Sequence, residues 1–368
     1  MQRFWVLAIA YILFSTYVTH AAFAGNVVVG VNVVGANQLN EQQQDALLDQ
    51  LQEAGVTTIR TGFGEQFTQF LIRANKHGIH AVAVVYPTHL GTNAHIRPPA
   101  PAVGLHYGQE PMTDSDPSKF EPWFTAQLVA LDAAGVRLAA IEVGNEINGP
   151  YFNGDFLPSL ASGRVLGIAD LNNPNDPEGR AIAASYRAYL QIVAVVKKVR
   201  DQSKVNHATP ILSAGLADGG LPGKKPGQKL DGVAIPSTML FFRQNGADNL
   251  VDGYAVHVYP GGSPATPVSA RVDELSKDAF SLCTAYKPCW VTEWGFNNND
   301  QTCPLNDQTR KLEINTEREA FEDFAKQKRL AAILFYSWSG QPGAKEEVGA
   351  IIRCGALTDA GKLALNPM

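Results

Sequence analysis

Short apolar, β-branched runs alternate with amphipathic stretches along nearly the whole chain. NVVVGVNVV (26–34) reads as a buried strand, and LNEQQQDALLDQLQEAG (39–55) follows it as a helix. In that helix Asn40 and Gln43 have capping-box spacing, Leu47, Leu48 and Leu51 share a face, and Gly55 sits at the stop. The same reading predicts further strands at 57–62, 80–87, 138–143, 209–215, 251–260, 288–296 and 331–340. Helices are predicted at 65–78, 117–135, 179–202, 236–245, 268–285, 306–328 and 359–365. The strands are near-continuous apolar runs rather than clean alternations, which is the pattern of a parallel sheet covered on both faces. Eight strands, each followed by a helix, predict an α/β fold, a closed (β/α)8 TIM barrel in one domain over 25–368. A doubly wound open sheet is the rival, but VGVNVVGAN after the first strand lacks the glycine spacing of a phosphate-binding turn.

The N-terminus breaks the alternation. Arg3 precedes an apolar run from Phe4 to Val18, and AFA at 22–24 has small residues at the spacing of a cleavage site. Residues 1–24 are expected to be a secretory signal peptide, the run being too short to span a bilayer comfortably. A secreted or periplasmic location follows, with no stable membrane insertion after cleavage. That location bears on the four cysteines, Cys283, Cys289, Cys303 and Cys354, which are expected in disulfides. Four cysteines allow three pairings, and nearness in sequence makes Cys283 with Cys289 the first choice, leaving Cys303 with Cys354.

The formal net charge of −5 and the absence of a basic cluster argue against nucleic acid or an anionic membrane as partner. No cofactor is implied, no metal-ligand spacing is seen, and a monomer is expected.

The candidate chemistry lies where the predicted strands end. In a barrel of this kind it gathers at the carboxyl ends. Arg60 ends the second strand, Tyr86 the third and Asn145 with Glu146 the fourth; His257 and Tyr259 end the sixth, Glu293 the seventh and Trp338 the eighth. Asn32 and Asn37 at the first strand read as turn or cap residues, and Glu142, mid-strand, as structural. Two carboxyls on non-adjacent strands, Glu146 and Glu293, are what glycosidic bond cleavage uses, one protonated and one ionised. Arg60 and the Tyr259 hydroxyl are placed to hold Glu293 as the anion. Asn145 is expected to meet a sugar hydroxyl, and Trp338 to offer a ring for stacking. The loops at 87–117 and 147–179 are long enough to wall a cleft, with Tyr107, Tyr151, Phe152 and Phe156 as candidate stacking rings.

VGNEIN on the fourth strand, HVY on the sixth, TEWG on the seventh and YSW on the eighth resemble, in that order, clan A glycoside hydrolases. These are the retaining (β/α)8 enzymes that include cellulase-like, mannanase-like and xylosidase-like families. The resemblance implies Glu146 as acid/base, Glu293 as nucleophile, and Asn145, Arg60, His257, Tyr259, Trp338 and Tyr86 as substrate-binding residues. The chain departs from many cellulase-like members at the end of the third strand, where Tyr86 stands in place of a histidine and His89 follows three residues on. The expected function is retaining hydrolysis of a β-linked oligo- or polysaccharide. Two rivals remain: a non-catalytic sugar-binding barrel, and a hydrolase with a metal at His257 and Glu293.

Overall fold

The computed structural model describes residues 26–160, 162–217, 230–260, 267–340 and 348–368. The expected signal peptide lies outside them. The first half contains β1 (Val28–Asn32), α1 (Glu41–Glu53), β2 (Thr58–Gly62), α2 (Glu65–Lys76), β3 (His80–Val85), α3 (Pro117–Ala133) and β4 (Ala140–Val143). Next come β5 (Val165–Leu166), α4 (Ile168–Leu171), α5 (Pro177–Arg200), β6 (Ile211–Leu212), β7 (Leu216–Ala217), β8 (Gly232–Val233) and α6 (Ile235–Gln244). The chain continues through β9 (Tyr254–Val258), α7 (Val268–Phe280), β10 (Cys289–Trp294), α8 (Gln308–Lys326), β11 (Leu330–Phe335), β12 (Ile352–Arg353), β13 (Ala356–Leu357) and α9 (Asp359–Ala364).

Local chemistry fixes the helix ends. The Asn40 side chain accepts from the Gln43 N–H at 2.9 Å while the Gln43 side chain accepts from the Asn40 N–H at 3.0 Å, closing the capping box. Gly55 follows α1 at φ +76°, where a Cβ would be strained. Proline opens both α3 and α5, each behind an aspartate cap, Asp116 and Asp176.

Nine strands form one curled sheet in the order β6-β4-β3-β2-β1-β11-β10-β9-β7, and every pairing in it is parallel. The fifth strand expected at 209–215 is instead two short strands, β6 against β4 and β7 against β9. Single parallel bridges, Asn145 to Gly215 and Leu212 to Gly253, join the same segment to both neighbours.

The side-chain alternation of the strands sorts the core into two. Val82, Ala140, Leu212, Ala255, Trp290, Ala332 and Leu334 form a small cluster on the concave side of the sheet. Ile59, Ala81, Ala83, Val85, Ile141, Val143 and Ile211, from the alternate positions, pack into a much larger cluster with the helices. The concave positions therefore stack from a small apolar floor up toward the carboxyl ends, and Arg60, Glu142 and His257 continue that series. Both disulfides are present, Cys283–Cys289 and Cys303–Cys354, as is compatible with a secreted protein. Among the described residues no helix is long and apolar enough to cross a membrane.

Candidate active site

Arg60 organises the space above the apolar floor. It is 6% exposed, and each of its five N–H donors has a partner. Nε and Nη2 grip Glu142 at 2.7 and 3.0 Å. Nη2 also donates to Asn145 Oδ1 at 2.7 Å, while Nη1 donates to Asn32 Oδ1 at 3.0 Å and Glu293 Oε1 at 2.5 Å. One guanidinium thus faces two buried carboxylates, and their field raises its pKa despite burial, the largest single influence, which acts to lower it.

Asn32 is a keystone rather than the turn or cap residue expected. Its amide donates to the Thr292, Leu334 and Phe335 carbonyls at 2.9, 3.2 and 3.3 Å, tying β1 to β10 and β11, while its oxygen braces Arg60. Glu142 is fully buried, takes Arg60 bidentately and accepts from the Thr292 hydroxyl at 3.2 Å. Its role is structural, as its mid-strand place suggested, but that role sits directly beneath the candidate site.

Glu293 stands on β10, where the register with β9 shifts between Val291 and Glu293. This irregularity re-aims the strand so that the side chains of both Thr292 and Glu293 join the polar cluster. Glu293 Oε2 accepts from the Tyr259 hydroxyl at 2.7 Å, and His257 Nδ1 lies 3.6 Å away. Burial alone would push this carboxyl up, but the charges of His257 and Arg60 and the bonds from Tyr259 and Arg60 together hold it below the usual carboxylate range. The reciprocal effect on Tyr259 is large: burial and the Glu293 charge push its hydroxyl well above the ordinary tyrosine value.

Glu146 is placed differently. It follows β4 at φ +44°, an uncommon conformation for a non-glycine residue, with its N–H donating to the Gly215 carbonyl at 2.7 Å. Its side chain is 25% exposed, and Oε1 lies 2.9 Å from His257 Nδ1. Burial works to lower the His257 pKa, but the two glutamates outweigh it and the net shift is upward. Gly215 makes the imidazole's seat possible. A Cβ there would run into His257 Nε2 and come within 2.6 Å of Glu142 Oε1.

Glu146, His257 and Glu293 offer oxygen and nitrogen atoms within 4.8 Å of one another. The two glutamates border a cavity of about 520 Å³ whose wall also includes Asn37, Phe67, Tyr86, Phe152 and Tyr336, and His257 is buried behind them. Arg60, Asn145, His257, Tyr259, Glu146 and Glu293 are therefore gathered at one place, and Tyr86, half exposed, lies on the wall. Trp338 does not fit its expected part. It is 2% exposed within the helix-side core, so its ring presents no face to a ligand, and the aromatic residue on the wall nearby is Tyr336. Period two along β11 would have singled out Tyr336, which continues the concave series Ala332 and Leu334. The same count through Val28 and Gly30 reaches Asn32, and through Ala140 it reaches Glu142. Asn37, also read as a turn residue, both bonds Gln66 at 3.0 Å and lines the cavity.

No protein-family model matches the chain, and no curated protein matches it in sequence. Solved structures do match. One of the fungal β-1,4-galactanases superposes with a TM-score of 0.53 at 12% identity, over 92% of this chain and 93% of that one. A virulence factor from Agrobacterium tumefaciens, SghA, gives a TM-score of 0.52 at 12% identity over 94% and 97%. A β-glucosidase from Exiguobacterium marinum gives 0.51 at 12% over 88% and 85%. The structural neighbours include a galactanase, a glucuronidase and a glucosidase, and at these identities what the chain shares with them is the fold.

Proposed function

We propose that this protein is an exported, retaining glycoside hydrolase acting on a β-linked oligo- or polysaccharide. One observation carries the reading: two glutamates meet at a cavity with donor atoms inside 4.8 Å, and their surroundings are unequal. Retaining enzymes set their carboxyls about 5–5.5 Å apart, and inverting ones about 6.5–9.5 Å to admit a water. The short spacing supports retention. Glu293, held ionised by Arg60, Tyr259 and His257, attacks the anomeric carbon as the glycosidic bond breaks. Glu146 gives its proton to the departing oxygen. Having given up its proton, Glu146 then takes one from the incoming water, whose oxygen bonds the anomeric carbon as the ester bond to Glu293 breaks. Asn145, its oxygen fixed by Arg60, is left with its amide group to meet a sugar hydroxyl. Tyr86, Tyr336 and Phe152 supply aromatic wall.

The same reading takes β6 and β7 as halves of one fifth strand. The bridges from this segment to β4 and β9 support a closed (β/α)8 barrel in one domain over 25–368, monomeric, behind a cleaved signal at 1–24.

The glucosides, galactosides and mannosides of a nitrophenol provide the test, with the anomer first released followed by proton NMR. Retention of the β configuration is expected, and release of the α anomer would exclude double displacement. A metal hydrolase is the second reading, since Glu146, His257 and Glu293 are near enough to share an ion. Against it, both Glu293 oxygens already have partners, and a cation there would meet the Arg60 guanidinium. Undiminished hydrolysis in excess EDTA is expected, and loss restored by a divalent metal would favour the rival. The binding-only alternative would be favoured if Glu293→Gln hydrolysed each nitrophenyl glycoside as fast as the wild type does.

A further inference from the structure

Beside the cavity at the two glutamates lies a second and larger one, of about 1020 Å³. The two meet at Tyr86, Asn145 and Phe152, which line both. Neither Glu293 nor Glu146 borders the second chamber, so it is not needed for the chemistry itself. Its wall carries Asn93, Gln109, Glu110 and Lys119, all exposed or half-buried. Together the two spaces exceed the roughly 300–1,000 Å³ of a typical small-ligand pocket.

The wall is built rather than draped. Arg97, 5% exposed, donates to the Pro150 and Asn153 carbonyls at 2.5 and 3.1 Å, tying the loop after β3 to the loop after β4. Its backbone pairs with that of Gln109 in both directions, at 2.8 and 3.0 Å. Asp114, 7% exposed, accepts from the His95 N–H at 2.8 Å, contacts the His95 ring at 2.7 Å, and through its carbonyl takes the Thr92 N–H at 2.9 Å. Between these anchors Leu90 and Asn93, both on the wall, hold φ near +59° and +53°. Left-handed backbone at a non-glycine residue is strained and persists where its surroundings enforce it.

We propose that this second chamber binds further neutral sugar units of a polymeric substrate, continuous with the unit held at Glu146 and Glu293. The proposal rests on the glycosidase reading. The polar wall offers amide, carboxylate and ammonium groups suited to sugar hydroxyls, and Tyr86 and Phe152 give ring faces at the junction. Lys119 and Glu110 contribute one charge of each sign, and Arg60 next door has each of its donors engaged, so the lining does not select for an anionic chain such as a polyuronide.

The test uses β-1,4-linked gluco-, manno- and galacto-oligosaccharides of two to six units, an oligogalacturonide of matched length, and the nitrophenyl monoglycosides. Binding to Glu293→Gln is measured by calorimetry, and kcat/KM on the wild type. With at least one neutral series, affinity and kcat/KM are expected to rise at least about tenfold between two and four units. Gln109→Ala and Lys119→Ala are each expected to flatten that rise, lowering the ratio of oligosaccharide to monoglycoside kcat/KM. Monoglycoside hydrolysis with no dependence on chain length, or tighter binding of the oligogalacturonide, would overturn the chamber and leave the hydrolase standing. Length-dependent binding without hydrolysis of any probe would sink the hydrolase and keep the chamber. Neither binding nor hydrolysis would overturn both.

Discussion

Glu293 and Glu146 are the same residue type on the rim of one sheet, yet the regions around them are built on opposite plans. Around Glu293 the strands dictate everything. It is 8% exposed, its oxygens are bonded to Arg60 and Tyr259, and Arg60 is itself locked by Glu142, Asn32 and Asn145. Around Glu146 the chain has just left the sheet, φ is positive, a quarter of the side chain is open, and one imidazole stands beside it. The contrast teaches how one scaffold gives two carboxyls different work. A fixed, cation-backed carboxylate suits a nucleophile, and an open one that can exchange its proton suits an acid/base.

Substitutions can break this contrast in order of expected effect. Glu293→Gln removes the nucleophile, and kcat on every cleaved glycoside is expected to fall at least about 10⁴-fold. Glu146→Gln is expected to cost about 10²–10⁴-fold with alkyl or sugar leaving groups and far less with dinitrophenyl ones, which need no proton. Equal losses on both leaving groups would show that Glu146 is not the acid. Arg60→Met leaves two buried carboxylates without their cation, and urea melts should register about 3–5 kcal/mol of lost stability. Adding Glu142→Gln should recover part of it. No recovery would mean that the Glu142 pairing is not what Arg60 supports. Tyr259→Phe deletes a hydrogen bond to a charged acceptor worth about 1.5–3 kcal/mol. Activity is expected to fall correspondingly and the acid limb of the pH profile to move upward. Gly215→Ala forces a methyl against His257 and Glu142, and overpacking of about 1–3 kcal/mol is expected in thermal melts together with reduced activity. An unchanged melting temperature would show that the imidazole seat has slack.

The pH dependence sharpens the same comparison. The Glu293 pKa is depressed, so its stabilising interactions are present above its unfolded value, near 4.5, and are lost as pH falls through the lower folded value. The acid limb of activity should therefore lie below pH 4.5. The His257 pKa is raised, so its contribution is complete below its unfolded value, near 6.5, and is lost as pH rises through the folded value. Stability measured across pH in the wild type and in Tyr259→Phe checks both signs.

The same division explains what could be read from the sequence. Strand order, the helices, the capping box at Asn40 and the gathering of Arg60, Asn145, Glu146, His257, Tyr259 and Glu293 follow from period-two alternation and from the rule that parallel strands present chemistry at their carboxyl ends. Counting that alternation strictly would also have put Asn32, Glu142 and Tyr336 on the concave face, because they stand two residues beyond Gly30, Ala140 and Leu334. Trp338 was misplaced because the chain past β11 no longer follows the alternation. It turns inward, and the Trp338 N–H bonds the Asn32 carbonyl at 2.9 Å. The split between β6 and β7 falls at Ser213 to Gly215, small residues that end TPILSAG; they mark a break, and the expected single run stopped there and missed β7 just beyond it. The loops at 87–117 and 147–179 were legible as walls of a cleft from their length, but the way they are held was not, since Arg97 and Asp114 anchor carbonyls and amides elsewhere in these loops.

The central claim is tested most directly by reacting the protein with a 2-deoxy-2-fluoro-β-glycoside bearing a dinitrophenolate leaving group and taking its mass. The account requires a gain of one fluoroglycosyl unit, carried after proteolysis on the peptide containing Glu293 and absent from Glu293→Gln. A label on any other residue, or turnover of the parent substrate with inversion and no adduct, would contradict it.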